Sequence, residues 1–222
     1  MKYPTIRLIH IACFSLASLF VAPNAHAQNI DDAVNHVGLG VGMNFYNPTD
    51  NDAHTSQGIA VAYRWHSFHS GWGPTIGLDW HSTNFDQTLG GLNAPLGSLR
   101  MRAVLGGFGH TNRIGRFAAS ANITGGYSFN SFTVDNDAFP TFATAGVALV
   151  GTDVDNSWVV RPGVSVWYDV HKHVGVGVGA AYMVNRPNAT ITTASGTVDQ
   201  RLKADAVELT VGVTFGLWKK KP

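Results

Sequence analysis

Hydrophobic and polar positions alternate with a period of two along most of the chain after residue 36. Val37, Leu39, Val41, Met43 and Phe45 alternate with Gly38, Gly40, Gly42 and Asn44, and Ile59, Val61, Tyr63 and Trp65 with Ala60, Ala62, Arg64 and His66. The rhythm continues in Ile76, Leu78 and Trp80 against Gly77, Asp79 and His81, then in Leu99, Met101, Ala103 and Leu105 against Arg100, Arg102, Val104 and Gly106. Segments 116–129, 158–170, 174–186 and 204–218 repeat it. The last is the clearest, with Val207, Leu209, Val211, Val213, Phe215 and Leu217 facing Glu208, Thr210, Gly212, Thr214 and Gly216. A period of two marks a strand with two unlike faces. The pattern predicts eight strands, each long enough to cross a bilayer at a tilt, which takes about 9–11 residues.

A soluble sandwich and a membrane barrel both alternate, and two features separate them. The off-face positions are mainly Gly, Ala, Ser, Asn and Thr, which suit the narrow interior of an eight-stranded barrel whose bulky side chains face lipid. The connections also alternate in length. Joints 69–73, 111–115 and 171–173 are short, whereas 46–57, 87–97, 130–157 and 187–203 are long. Short periplasmic turns and long outer loops give this order when both termini are periplasmic. Trp65, Phe117, Tyr168 and Phe215 then fall near the periplasmic ends, and Phe45, Tyr127, Phe129 and Tyr182 near the outer ends, as two interfacial girdles would.

Composition agrees. Of 222 residues, 13% are charged and 25 are Gly, with a formal net charge of +1. The charged share is half the usual ~25% of soluble domains, the apolar share is too high for disorder, and the charge balance speaks against a nucleic-acid partner. Residues 1–27 read as a signal peptide: Lys2 and Arg7, an apolar run from Ile11 to Ala22, and the small-x-small site Ala25-His26-Ala27. Cleavage after Ala27 removes Cys13, the single cysteine, which excludes a disulfide scaffold or a Cys-based metal site in the mature chain.

These residues resemble the small eight-stranded outer-membrane barrels, the family of the OmpA transmembrane domain, OmpX and OmpW. The most specific likeness is in the last strand, where Thr210, Gly212, Phe215 and Leu217 fit an assembly signal of polar-x-Gly-x-x-aromatic-x-hydrophobic form. The resemblance implies that the barrel-insertion machinery reads this segment. The barrel is expected to occupy 28–218, with a short basic periplasmic tail at 219–222.

Parity places Arg64, Arg100, Arg102 and Arg161 inside the predicted barrel with Asp79, Asp169, Asp205 and Glu208. Four cations and four anions in a lumen just wide enough for side chains are expected to pair into a plug, because buried charges need partners. A gated path for small solutes is the alternative. His81 and Thr83 share a face, the minimum for an activated nucleophile, and the segment is loosely similar to barrel lipid A deacylases. That activity needs a lipid-facing pair, whereas His81 has inward parity. His36, His66, His69, His110, His171 and His173 fall at periplasmic ends, spread around a rim rather than converging as tetrahedral ligands do.

The outer loops hold Asp50, Asp52, Asp135, Asp137, Asp153, Asp155 and Asp199 against Arg201 and Lys203. Their Asp-x-Asp pairs lack the full calcium-loop spacing and read as turns, although the acidic loops could bridge to lipopolysaccharide through divalent cations. Gly38-x-Gly40-x-Gly42 and Gly175-x-Gly177-x-Gly179 keep a strand period, so they are not a dinucleotide fingerprint. The apolar stretch Phe139 to Val150 in the longest loop is expected to form a helix or a fold over the barrel mouth. Together the residues predict a monomeric outer-membrane barrel with a structural or surface-interaction role, no enzymatic activity and no cofactor. Its partners would be outer-membrane lipid, lipopolysaccharide and the insertion machinery.

Overall fold

A computed structural model describes residues 37–50, 52–65, 70–89, 92–144, 146–171 and 173–217. The signal peptide expected at 1–27 and the tail at 219–222 lie outside these residues. Eight strands close into one antiparallel barrel: β1 (Val37–Pro48), β2 (Ser56–Trp65), β3 (Gly71–Leu89), β4 (Leu92–Ile114), β5 (Phe117–Val134), then β7 (Ser157–His171), β8 (Val174–Asn185) and β11 (Ala206–Leu217). The first and last barrel strands pair from Val37↔Leu217 to Pro48↔Ala206, so the barrel keeps no open edge. No described helix is long and apolar enough to cross a membrane.

The alternation sorts side chains as a barrel requires. Met43, Ile59, Leu78, Val104, Ile123, Val166, Val178 and Val211, one on each barrel strand, are exposed on the outer wall. An apolar belt of this extent is out of place in water and matches a bilayer. Aromatic rings mark both edges of the belt. Phe117 and Tyr168 lie 4.9 Å apart near the end holding the barrel's first and last residues, and Tyr127 lies 5.4 Å from Phe129 and 5.5 Å from Trp158 near the other end. The side chain of Trp65 lies outside the described residues.

The short turns follow from local chemistry. Ile114 pairs with Phe117, leaving Gly115 and Arg116 as a two-residue turn, and Gly115 has φ +59°, the left-handed region that penalises a Cβ.

The long connections are more ordered than loops. β3 and β4 stay paired out to Leu89↔Leu92, so segment 87–97 prolongs a hairpin. Segment 130–157 supplies helix α1 (Ala138–Thr144) and β6 (Leu149–Val154), while 187–203 supplies β9 (Asn188–Thr193) and β10 (Gly196–Arg201). These last three strands form a separate sheet in the order β10-β9-β6. The apolar stretch thus yields both a helix and a strand, and the strand lies outside the barrel. Ala138 and Phe142 of α1 pack with Leu96, Leu149 and Ile191, which fastens the helix between the β4 tip and the outer sheet.

Candidate functional site: a two-tier lumen beneath an outer sheet

The outer half of the lumen is a packed core. Leu99, Met101, Ala103 and Leu105 of β4 point inward and cluster with Tyr46, Phe85, Val159 and Met183. Val154 of β6, Ala189 of β9, and Leu202 and Ala204 before β11 belong to the same cluster, so the outer sheet seats its apolar side on the barrel mouth. Leu99 is 0% exposed, and Tyr46 and Val159 are each 1% exposed.

This orientation of β4 corrects the sequence expectation for two arginines. Arg100 and Arg102 are exposed on the outer wall, not in the lumen. Both faces of β4 carry apolar residues, since Val104 and Phe108 are exposed opposite the buried Leu99 row. Alternation alone therefore could not orient the strand, and filling the outer lumen decided it. Arg102 lies with its guanidinium carbon 5.7 Å from the Trp80 ring centroid.

A polar cluster underlies the apolar core. Asn44 Nδ2 donates to the Tyr46 hydroxyl at 3.0 Å, and that hydroxyl donates to Asp79 Oδ1. His81 stacks on Tyr46 at 3.7 Å, with its Nδ1 3.6 Å from Asp79 Oδ1. The His81 ring is buried within the lumen, away from the lipid face that the deacylase likeness requires. Thr83 is engaged elsewhere, with its Oγ1 3.0 Å from Ser56 Oγ.

Three further carboxylates hold separate arginines. Arg161 Nε donates to Glu208 Oε2 at 2.6 Å, and Thr210 Oγ1 donates to Glu208 Oε1 at 3.1 Å. Asp169 takes Arg113 near the periplasmic end. Asp205 accepts from Arg186 at 2.8 Å and from the Asn185 backbone N–H at 3.0 Å. Arg186 lies beyond the end of β8, and its hydrogen bond to Asp205 raises its pKa above the usual guanidinium value. Sequence parity did not find Tyr46, Arg113 or Arg186, because Tyr46 and Arg113 fell in joints 46–57 and 111–115 and Arg186 ended the segment 174–186.

The periplasmic half of the lumen is open by comparison. It holds a cavity of about 110 Å³ lined by Gly38, Gly40, Gly77 and Gly177, with Arg64 and Asp79 among its polar residues. Arg64 Nη1 donates to Ser165 Oγ at 3.0 Å, and its guanidinium carbon is 5.8 Å from the Trp167 ring centroid.

Three further groups of residues are placed as follows. His171 and His173 lie 5.6 Å apart and His110 packs 4.9 Å from Trp72, whereas His36, His66 and His69 lie outside the described residues. No group of three metal-ligating side chains occurs among the described residues. Two loop aspartates form local turns, with Asp50 and Asp135 accepting from the backbone N–H of Asp52 and Asp137 at 3.3 and 3.1 Å, whereas Asp153 lies on β6 and accepts from the Val154 N–H at 2.9 Å. Thr210, Gly212, Phe215 and Leu217 pair with Asn44, Gly42, Leu39 and Val37 across the closing seam of the barrel.

Comparison with known proteins agrees with this architecture. No curated protein matches the sequence. Among solved structures, AlkL in lipid bilayers aligns with a TM-score of 0.55 at 13% identity, covering 91% of this chain and 99% of that one. Neisserial surface protein A aligns with a TM-score of 0.51 at 10% identity, covering 82% of this chain and 96% of that one. At such identities the likeness shows the fold alone. The model of the outer membrane protein beta-barrel domain family matches residues 12–215. The chain belongs to this family and is a β-barrel protein of the bacterial outer membrane.

Proposed function

We propose that the protein is a closed barrel whose role is structural and interactive: it anchors a folded sheet at the cell surface and conducts little or nothing through its lumen. The observation that carries this reading is the shared core of lumen and outer sheet, in which Leu99, Tyr46 and Val159 of the barrel pack with Val154, Ala189 and Leu202. A solute path needs a continuous polar or hydrated route, and a close-packed apolar tier interrupts it. Ion pairs contribute less to closure than the sequence suggested. They lie below and beside this tier, with Glu208 of the Arg161–Glu208 pair fully buried.

Planar-bilayer recording on the refolded protein tests this. The expected result is a flat current trace with only rare transient events. Discrete, reproducible conductance steps would favour the alternative of a narrow solute channel, entered from the Arg64 cavity and gated by movement of the outer tier. The lipid A reading has its own assay: lipid A from cells expressing the protein is expected to keep its mass.

A further inference from the structure

We propose that Arg100 and Arg102 form a docking site on the outer rim of the barrel wall for the phosphate groups of lipopolysaccharide. The proposal rests on the outer-membrane setting and not on whether the lumen conducts, so it stands or falls apart from the closed-barrel reading. Residues two apart on a strand share a face, roughly 7 Å apart. Both arginines are exposed on the lipid-facing wall of β4.

Their level on that wall is set by their neighbours. Arg102 is in register with Trp80 of β3 and Phe129 of β5, two exposed rings of the outer girdle. Toward the periplasm, the next outward residues of β4 are Val104, Gly106 and Phe108. Away from it, Arg100 sits between Ser82 and Ser131, with Asn84 and Thr133 beyond them on the flanking strands. The pair therefore stands where the wall changes from apolar to polar. A lipid-facing arginine is costly at the bilayer midplane and nearly cost-free at the interface, so this is the level at which such residues are tolerated.

The two arginines also lack the carboxylate partner that three other arginines hold. Arg113, Arg161 and Arg186 each hold a carboxylate. Among the described residues, neither Arg100 nor Arg102 forms an ion pair. Arg102 holds its guanidinium over the Trp80 ring, 5.7 Å from its centroid, and a guanidinium can contact a ring by its face while its N–H groups meet an oxyanion. The guanidinium fork matches phosphate oxygens in a bidentate way, and phosphorylated glycolipid is the anion met at this height in the outer leaflet.

The test uses full-length mature protein refolded into phosphatidylcholine vesicles that contain either bisphosphorylated lipid A or lipid A stripped of its phosphates. The readout is the temperature at which the folded band is lost on unboiled SDS gels. The expected result is a midpoint higher by roughly 4–8 °C with the phosphorylated lipid. The R100Q/R102Q variant is expected to lose this difference, R100K/R102K to keep most of it, and K203Q to keep it all. Should the double glutamine variant fail to insert, R100Q and R102Q singly are each expected to halve the difference. The proposal is overturned if the wild type shows no difference between the two lipids, or if the glutamine variants retain it in full.

Discussion

Arg161 on β7 reaches past β8 to Glu208 on β11, whose side chain is 0% exposed, and donates from Nε at 2.6 Å. Removing one partner leaves the other largely buried without its counter-charge. Glu208→Gln is therefore expected to destabilise the barrel by about 3–5 kcal/mol, whereas Arg161→Met with Glu208→Leu is expected to come close to neutral. Urea unfolding of the vesicle-inserted protein, followed by tryptophan fluorescence, measures both. Equal losses in the single and double variants would show that packing around the pair, not its charge, holds this part of the wall.

Two inward glycines of the wall differ sharply in the room around them. A Cβ on Gly126 would fall 1.9 Å from the Val104 carbonyl oxygen, whereas one on Gly40 would meet nothing nearer than Thr214 Oγ1 at 3.5 Å. Gly126→Ala must push β5 away from β4, at an expected cost of about 1–3 kcal/mol. Gly40→Ala is expected to stay within about 0.5 kcal/mol of wild type. The same unfolding assay ranks them, and the reverse order would contradict the described β4–β5 spacing.

Phe142, 3% exposed, is the anchor of α1 on the outer sheet. Phe142→Ala empties a buried site of this second core, a change that typically costs about 3–5 kcal/mol. The loss falls on the outer layer, because none of the eight barrel pairings involves α1. Trypsin is expected to cut faster after Arg201 and Lys203 while the heat-modifiable band persists. Loss of that band would mean that the barrel depends on its outer layer.

Phe215 is 45% exposed on the outer wall near the periplasmic end, in register with Leu39 and Val174. Its place in the assembly-signal pattern predicts a kinetic role. Phe215→Ala is expected to lower the fraction folded in cells several-fold while leaving the unfolding midpoint of purified, vesicle-refolded protein within about 1 kcal/mol of wild type. Gel mobility of cell-extracted and refolded samples separates the two effects. An equal loss in both would make Phe215 a packing residue only.

The period-two pattern by itself determined the barrel: strand number, antiparallel order and the alternation of short and long connections follow from where side chains must change faces. It also set Arg161, Glu208 and His81 on inward faces, without saying which charge meets which, because the strands bearing them pair one bulky apolar face with one small or polar face. β4 has no such contrast. With Leu99 and Met101 on one side and Val104 and Phe108 on the other, its orientation was settled only by the need to fill the outer lumen, and this placed Arg100 and Arg102 at the lipid. The outer sheet was equally beyond local reading. β6 and β9 lie far apart in sequence and acquire strand structure by pairing with each other and seating Val154 and Ala189 on the barrel core. Periodicity reports the faces of a strand, but which face turns inward, and which distant segments complete a sheet, depends on volumes and contacts that exist only once the chain has closed.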